Sequence, residues 1–267
     1  MKIGIYGLGL IGGSLLKALH GYEKIAVTGN DSTIEAAKPY AVEVTKDPNR
    51  LKECALVFVC TPMNKTLEIL DRLENIVSAD TIVADVASLK GFVMEKKRPY
   101  KFIGTHPMAG TEHTGFEHSF KELFEGAKWV ITPSEETTPE DLNKIETIIK
   151  SVWAHPVIMD AKTHDRAAAL ISHMPMLVSQ ALMLSVQENN DAKLLAASGF
   201  RDMTRLAMSN TEMAADMVSL NRENIEESLG LLSASIMQLL GSDYKGKIEE
   251  IAQKRRAMYD ESGKNIL

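Results

Sequence analysis

The segment GTHPMAGTEHTG (104–115) brings His106, Glu112 and His113 together among glycines. Imidazole is the side chain whose charge changes nearest to neutral pH, and it is the most frequent general base in enzymes. Pro107 disfavours helical geometry at the residue before it. We therefore predict that His106 lies at the carboxyl end of an apolar strand as a candidate catalytic base. A histidine that only caps the strand or fills the core is the alternative.

The same segment could also supply ligands to a metal ion. His106, Glu112, His113 and His118 offer nitrogen and oxygen atoms. Their spacing matches neither two histidines four residues apart on a helix nor a zinc-finger pattern. The sequence therefore favours catalysis by His106, and we expect no metal ion.

A glycine-rich turn lies near the N-terminus, in the segment GLGLIGGS (7–14). Gly7, Gly9 and Gly12 form a G-x-G-x-x-G pattern between a strand-like and a helical segment, the context in which this pattern indicates dinucleotide binding. The first glycine permits a tight turn, the second lets the backbone approach a pyrophosphate, and the third lets the helix pack on the strand. The predicted cofactor-binding residues of this turn and of the neighbouring strand ends are Gly7, Gly9, Leu10, Ile11, Gly12, Asp31, Thr61 and Pro62.

An acidic residue follows at the distance that such a fold requires. We predict that the strand 25–31 ends in Asp31, 19 residues after Gly12, close to the spacing of about 20 typical of the acid that binds the ribose. A carboxylate there accepts a hydrogen bond from the 2′-hydroxyl group and repels a 2′-phosphate. The nearest following base is Lys38, so the sequence predicts NAD rather than NADP. An incidental aspartate in a structural turn is the alternative.

These residues need a parallel sheet that presents them at one edge. Strand-like apolar segments alternate with helical ones in the first part of the chain, at 2–7, 25–31, 55–62, 80–88, 101–106, 128–133 and 155–160. Helical periodicity covers 64–77 and 139–152, and Pro139 suits a first helical turn. The pattern predicts an α/β fold with a doubly wound, Rossmann-type, mostly parallel sheet. Its ligands would bind where the carboxyl ends of the strands converge.

The chain changes character after residue 160. Pro175 is the one proline there, nine of the 14 methionines lie there, and apolar residues recur at helical spacing over 222–241. We predict a dinucleotide-binding domain at 1–160 and an all-helical substrate and dimerisation domain at 161–267. Methionine-rich helix faces are more often core or subunit interface than cofactor sites, so a homodimer is expected.

Cationic side chains in the helical half could bind an anionic substrate. Arg201 and Arg205 lie four residues apart in GFRDMTR (199–205), on one face if the segment is a helix. A guanidinium group is the natural partner of a carboxylate. A solvated face with Asp202 as an ion-pair partner is an equally good interpretation. His173 precedes a proline kink and could either face the cleft or lie buried.

Composition limits the class of protein. The net charge of −6 and the pI near 5.7 argue against a nucleic-acid-binding surface. Cys54 and Cys60 form no disulfide framework, which favours a reducing cytoplasm. The apolar start of the chain is interrupted by glycines, unlike a signal peptide. No run approaches about 18 apolar residues without a charge, so we expect no membrane span.

Several motifs together resemble the prephenate/arogenate dehydrogenase family: GLGLIGGS, DVASLKG (85–91), GTHPMAGTEHTG, SHMP (172–175) and GFRDMTR. The resemblance runs in order from residue 1 to about residue 220, and THPMAGTE is its most distinctive part. It implies a dinucleotide-binding domain, a helical dimerisation domain, and NAD-dependent oxidative decarboxylation of prephenate or arogenate in tyrosine synthesis.

The resemblance also implies roles for individual residues. His106 would deprotonate the ring 4-hydroxyl group while C4 gives hydride to NAD+, and Ser88 would hydrogen-bond to this histidine. Arg205 would bind a substrate carboxylate. The other residues implied or predicted at the substrate are His173, Glu112, Thr111 and Arg201.

The sequence departs from the family pattern at two positions. Met176 and Ala214 stand where many members have a histidine and a tryptophan. Both positions lie near the substrate side, so the sequence leaves prephenate and arogenate open as substrates. Another NAD-dependent hydroxyacid dehydrogenase is an alternative, although such enzymes usually rely on a lysine that is missing from SHMP and GFRDMTR. A non-catalytic NAD-binding sensor is a further alternative, but it would give His106 and Arg205 no function.

Overall fold

The structure is a computed structural model that describes residues 1–111, 113–241 and 243–259. In these residues one sheet forms the N-terminal part of the molecule. Its strands are β1 (Lys2–Tyr6), β2 (Glu23–Val27), β3 (Glu43–Thr45), β4 (Leu56–Val59), β5 (Ile82–Asp85), β6 (Lys101–Pro107), β7 (Lys128–Pro133) and β8 (His155–Ile158).

The sheet has the order β3-β2-β1-β4-β5-β6-β7-β8. All neighbouring strands are parallel except β6 and β7, which are antiparallel. The residues of β4 and β5 are buried throughout, as expected for strands covered on both faces. The chain order reverses between β1 and β4, and ligands bind at such a switch point in doubly wound sheets. The predicted fold class is confirmed.

Helices pack on both faces of this sheet. They are α1 (Leu10–Ala18), α2 (Asp31–Ala37), α3 (Met63–Leu73), α4 (Gly91–Met94) and α5 (Pro139–Ser151), with 3-10 turns at Lys38–Tyr40, Pro48–Glu53 and Phe116–His118. Thr138 caps α5 by accepting a hydrogen bond from the Asp141 amide, and Pro139 occupies the first turn as predicted.

Two details of the sheet differ from the sequence prediction. β3 was missed because three half-buried residues at a sheet edge are too short to show periodicity. The prediction that the second strand extends to Asp31 was wrong, because β2 ends at Val27. The Asn30 side chain accepts hydrogen bonds from the amides of Ser32 and Thr33, and it thereby starts α2.

The remaining described residues are helical. They form α6 (Ala161–Ala168), α7 (Met174–Ser185), α8 (Asn190–Leu195), α9 (Ser198–Met203), α10 (Thr211–Leu220), α11 (Arg222–Leu240) and α12 (Tyr244–Met258), with a π turn at Ala169–His173 and a 3-10 turn at Arg205–Met208. The π turn ends two residues before Pro175, which lacks an amide donor and cannot continue a regular hydrogen-bond ladder. The regular α-helical pattern is therefore interrupted beside His173, while the predicted kink itself stays a prediction.

The helical residues pack directly against the sheet domain. An apolar cluster joins Met63, Ala87 and Leu89 to residues of the helical part, namely Met176, Ala214 and Met217. Met176 and Ala214, the two departures from the family pattern, thus lie buried together in the domain interface. His106 of the sheet domain and His164 of the helical domain meet at this interface.

One long helical segment is more apolar than the sequence analysis expected. Ala161–Ser185 contains an 18-residue window with a mean hydropathy of 1.5, enough by length and composition to cross a membrane. The expectation that no segment reaches this composition was therefore wrong. Such a helix is weak evidence for a membrane span, because core helices meet the same criterion. His164 and His173 of this segment are buried against protein.

Candidate active site

The turn after β1 has the geometry of a pyrophosphate cradle. Gly7 has a φ of +97°, which side chains rarely tolerate. A Cβ atom on Gly12 would lie 1.9 Å from the Gly7 carbonyl oxygen, so only glycine fits where α1 packs on the strand. A Cβ atom on Gly9 would meet no atom within 4 Å. Space is therefore left open in front of Gly9, where the backbone must approach a ligand.

The first turn of α1 supports the same interpretation. The Gly13 amide makes the first helical hydrogen bond, to the Gly9 carbonyl oxygen. The amides before it, including those of Leu10 and Ile11, have no acceptor within the helix and can bind an anion. The first turn contains no acidic residue that would compete with a phosphate. The described residues thus fit the pyrophosphate of a dinucleotide.

The neighbouring predicted cofactor residues lie around this turn. A Cβ atom on Gly7 would lie 3.2 Å from Thr61 Cγ2, which places Thr61 beside the glycine turn. Pro62 follows and occupies the N-cap position of α3. Asp31 lies in the first turn of α2 with 85% of its side chain exposed, and it forms an ion pair of 2.7 Å with Lys46. No local sequence signal indicates this base, because Lys46 reaches Asp31 only through the fold.

His106 lies near the carboxyl end of β6, as predicted, and is part of a hydrogen-bonded chain. Its Nδ1 atom is 2.9 Å from Nε2 of His164. His164 Nδ1 is in turn 2.7 Å from Oδ1 of Asp165. The Asp165 carboxylate also accepts hydrogen bonds of 2.8 Å from the backbone amides of Lys90 and Gly91. This hydrogen-bonded chain of side chains therefore runs from the sheet to α6 and back to the backbone of the sheet domain.

A buried ion pair lies next to this chain. The Nζ atom of Lys90 donates hydrogen bonds to the Asp85 carboxylate and, at 2.6 Å, to the Thr105 carbonyl oxygen. Asp85 and Lys90 are completely buried. Burial lowers the pKa of Lys90, and the carboxylate of Asp85 opposes that shift. Removal of either partner would leave an uncompensated buried charge, so this pair fixes the strand end that carries His106.

The surroundings keep two histidines neutral. Burial lowers the pKa of His106 well below its usual value, and His164, Lys90 and His173 lower it further. Burial also lowers the pKa of His173 to about 4, against the opposing effect of Asp165. The side chain of Asn221 donates a hydrogen bond of 3.1 Å to Nδ1 of His173. At neutral pH the His106 ring is therefore a free base.

The other residues that the family resemblance implies at the substrate make no hydrogen bond to His106 in the described part of the chain. Ser88 is half-buried in the turn after β5, while the hydrogen bond that the structure gives to His106 goes to His164. Thr111 is exposed, and its hydroxyl group accepts a hydrogen bond from the His113 amide. Glu112 lies outside the described residues. His173 is buried and belongs to the same cluster as His164 and Asp165.

The two arginines lie around a separate pocket. Arg201 and Arg205 line a cavity of about 920 Å³ together with apolar residues of α7. The prediction that they share one helical face was wrong, because α9 ends at Met203 and a 3-10 turn begins at Arg205. The Thr204 hydroxyl group bonds to the Phe200 carbonyl oxygen at this break. Within the described part of the chain Arg201 pairs with Asp202, whereas the Arg205 guanidinium forms no ion pair.

The described residues show no group of three or more metal-binding side chains. His113 stacks on His118 at 4.8 Å between ring centroids, and His106 is instead engaged by His164.

The sequence singles out His164 in the helical half but assigns no role to it, to Asp165 or to Lys90. The adjacent pair His164-Asp165 near the start of a helix, and a lysine shortly after a buried strand, were the available signals. Neither has a distinctive spacing, since the partners are far apart in the chain. Only the fold brings them to His106.

The fold and this site define a class, namely two-domain dinucleotide-binding proteins with a candidate base at the carboxyl edge of the sheet. Residues 13–158 match the family described as prephenate dehydrogenase, nucleotide-binding domain, and residues 160–253 match its dimerisation domain. The chain belongs to the prephenate dehydrogenase family, as the resemblance in the sequence predicted.

Individual relatives agree with this assignment. Prephenate dehydrogenase of Bacillus subtilis (strain 168) is 31% identical over 236 residues, which cover 82% of this chain and 64% of that relative. The chain thus spans somewhat less than two thirds of that protein.

Solved structures share the whole architecture. Synechocystis arogenate dehydrogenase has a TM-score of 0.83 at 33% identity and covers 96% of this chain and 97% of its own. Aquifex aeolicus prephenate dehydrogenase, in complex with hydroxyphenyl propionate and NAD+, has a TM-score of 0.82 at 27% identity, with 95% of this chain and 94% of its own covered.

Proposed function

We propose that this chain catalyses the NAD-dependent oxidative decarboxylation of prephenate to 4-hydroxyphenylpyruvate, or of arogenate to tyrosine. The neutral imidazole of His106, at the same carboxyl edge of the sheet as the glycine turn, carries the proposal. A base in this place can take the proton of a ring hydroxyl group while the carbon that bears it faces the cofactor. The NAD+ in the Aquifex relative supports the choice of cofactor.

The residues of the chain divide the work of the reaction. NAD+, when bound, accepts the hydride that leaves C4 of the substrate ring. His106 accepts the proton of the 4-hydroxyl group, and its low pKa keeps it ready to do so at neutral pH. The bond to the ring carboxylate then breaks, its electrons complete the aromatic ring as CO2 leaves, and the ring oxygen takes the proton back from His106. Ser88, in the turn after β5, is proposed to hydrogen-bond to the reacting hydroxyl group.

Arg205 is the proposed partner of a substrate carboxylate. Its guanidinium group is exposed, lines a pocket, and forms no ion pair with another described residue. His173, Thr111, Glu112 and Arg201 are proposed to complete the substrate side. Asp31 is proposed to bind the ribose of NAD+, in competition with its ion pair to Lys46.

We further propose that the chain works as a homodimer in the cytoplasm, in tyrosine synthesis. The match to a dimerisation domain supports the first part. Exposed apolar side chains on the helical domain support it as well, including Leu184, Leu194 and Leu195 with 69%, 82% and 79% of their surface exposed. Two free cysteines agree with a reducing compartment.

A substrate panel tests the activity. Purified protein is mixed with NAD+ or NADP+ and with prephenate, arogenate or simple hydroxyacids, and the absorbance of the reduced nicotinamide is followed. Reduction of NAD+ with one cyclohexadienyl substrate, together with CO2 release, is expected. Reduction only with a simple hydroxyacid would identify a different dehydrogenase. NAD+ binding without reduction of any substrate would indicate a sensor.

A further inference from the structure

We propose that His164 and Asp165 are positioning residues that fix the ring of His106 in the tautomer with a proton on Nδ1 and a free lone pair on Nε2. This inference deepens the proposed function and rests on it, since it assigns the atom that would accept the substrate proton. It concerns residues that the comparisons and the sequence motifs leave without a role.

The direction of the hydrogen bonds follows from the anionic end of the chain. Both oxygens of Asp165 accept backbone amide hydrogens, from Lys90 and Gly91. Burial opposes ionisation of Asp165, but the hydrogen bonds from His164 and from these two amides outweigh it, so its pKa lies below the usual value. Asp165 is therefore a carboxylate and only an acceptor. A lone pair on His164 Nδ1 at 2.7 Å from Oδ1 would be repelled, so His164 Nδ1 must carry a hydrogen.

The proposal includes a neutral His164, and for that state the remaining atoms have one consistent assignment. With a proton on Nδ1, neutral His164 has its lone pair on Nε2. This lone pair lies 2.9 Å from Nδ1 of His106, which must therefore be the donor. The lone pair of His106 then resides on Nε2, the ring atom that takes no part in the hydrogen-bonded chain. Without these hydrogen bonds, neutral His106 would populate both tautomers. The tautomer with its proton on Nε2 cannot accept the substrate proton at that atom.

The hydrogen-bonded chain ends at backbone amides of the sheet domain, those of Lys90 and Gly91. A Cβ atom on Gly91 would lie 2.9 Å from Asp165 Oδ2, so the backbone of the sheet domain approaches the carboxylate as closely as glycine allows. Asn221 also donates a hydrogen bond of 2.8 Å to the carbonyl oxygen of Asp165. The helical domain thus carries the orienting pair, whereas the sheet domain carries both the base and the clamp. The orientation of the His106 ring therefore depends on how the helical domain packs against the sheet domain.

A second consequence concerns the moment of proton transfer. When His106 Nε2 accepts a proton, the ring becomes a cation in a buried place. Its Nδ1–H remains directed at His164, which is itself hydrogen-bonded to the Asp165 carboxylate. The chain polarises towards the new charge and stabilises it without movement of heavy atoms.

Two substitutions at His164 separate orientation from mere packing. His164→Asn can still reach Asp165 but removes the acceptor for His106. His164→Gln places an amide oxygen near the former Nε2 atom and can accept from His106 Nδ1. We expect His164→Asn to lower kcat by about 10- to 100-fold, the usual cost of losing a partner that orients a functional side chain, with an almost unchanged KM. His164→Gln should recover most of that loss.

The tautomer itself is read by nitrogen NMR of the protein with 15N-labelled histidine rings, in complex with NAD+. The His106 signals are assigned by their loss in His106→Asn. A protonated Nδ1 and an unprotonated Nε2 are expected in the wild type and in His164→Gln, and a mixture in His164→Asn. His155→Asn, at an exposed histidine on β8, is the matched control and should resemble the wild type in both measurements.

The outcomes distinguish this inference from the proposed function. A wild type that reduces no NAD+ with prephenate or arogenate would refute the function, while the NMR signals would still decide the tautomer. A wild type that is active but has its ring proton on Nε2 of His106 would overturn the inference. Equal kcat values for His164→Asn and the wild type would overturn it too.

Discussion

At the scale of single residues, the position and the protonation state of His106 depend on groups that are distant in sequence. Lys90 fixes the strand end from the turn after β5, and His164 meets the ring from the helical domain. A histidine with these neighbours is neutral over the whole physiological pH range because burial and the nearby charges disfavour its cation. This is the state that a proton acceptor requires.

Replacement of His106 tests its role as the base. His106→Asn should lower kcat by about 10²–10⁴-fold, the usual range for the loss of a general base. NAD+ binding should stay the same, because the glycine turn lies on another strand. Steady-state kinetics and titration of NAD+ binding measure the two effects. A variant with wild-type kcat would remove His106 from the mechanism.

The pH profile provides an independent test. Burial, His164, Lys90 and His173 all lower the pKa of His106, while the carboxylates of Asp85 and Asp165 lie in the same cluster. A base with a lowered pKa loses activity only when the pH falls below the usual histidine range. We therefore expect kcat/KM to be constant from about pH 8 to about pH 6.5 and to decline at lower pH. An acid limb centred at or above pH 7 would contradict this assignment.

Arg205 should act on binding more than on chemistry. A guanidinium group that holds a carboxylate does so before and during the reaction, so Arg205→Ala should raise KM for the substrate with a smaller change in kcat. Arg201→Ala is a useful comparison, because Arg201 lines the same pocket but already pairs with Asp202. A KM that stays constant in Arg205→Ala would place the substrate carboxylate elsewhere.

Sequence patterns identified His106 because proline and a strand end are local signals. They did not identify its partners, since the hydrogen bonds of His106, His164 and Lys90 join segments up to 75 residues apart. Lys46 near Asp31 was missed for the same reason. The role of Arg205 remains a prediction, because its pocket and the histidine cluster have no lining residue in common.

At the scale of elements, the site depends on how strands end. The carboxyl ends of β1, β4, β5 and β6 lie side by side, so the glycine turn, Thr61, Ser88 and His106 share one edge. Alternating strands and helices made this sheet predictable. Short elements were not predictable: β3 has three residues, and the break between α9 and the next turn depends on one threonine hydroxyl group.

Two glycines of the first turn should respond differently to alanine. Gly9→Ala should fold normally, because its Cβ atom would enter open space, but it should bind NAD+ more weakly, since that space is proposed for the pyrophosphate. Gly12→Ala should be destabilised, because its Cβ atom would lie 1.9 Å from the Gly7 carbonyl oxygen. Thermal unfolding and NAD+ titration distinguish the two variants. Wild-type NAD+ affinity in a folded Gly9→Ala would refute the cradle.

At the scale of the whole molecule, the helical domain has too much apolar surface for a single chain in water. Only 28% of the apolar window in Ala161–Ser185 is buried within the chain. The second half of α11 exposes Ile236, Met237 and Leu240 at 47%, 65% and 76%. Coverage by a second copy, as proposed, would remove this surface from water, and each fully covered side chain of this type would contribute about 1.5–3 kcal/mol.

The proposed dimer therefore predicts both mass and stability. Light scattering should give twice the chain mass of 29.4 kDa, and the unfolding temperature should rise with protein concentration because association stabilises the folded state. Ile236→Glu buries a charge in the proposed interface and should shift the protein towards monomers. Val42→Glu, at an exposed position of the sheet domain, is the matched control and should remain dimeric. A wild type that stays monomeric at all concentrations would show that these helices are covered by something other than a second copy.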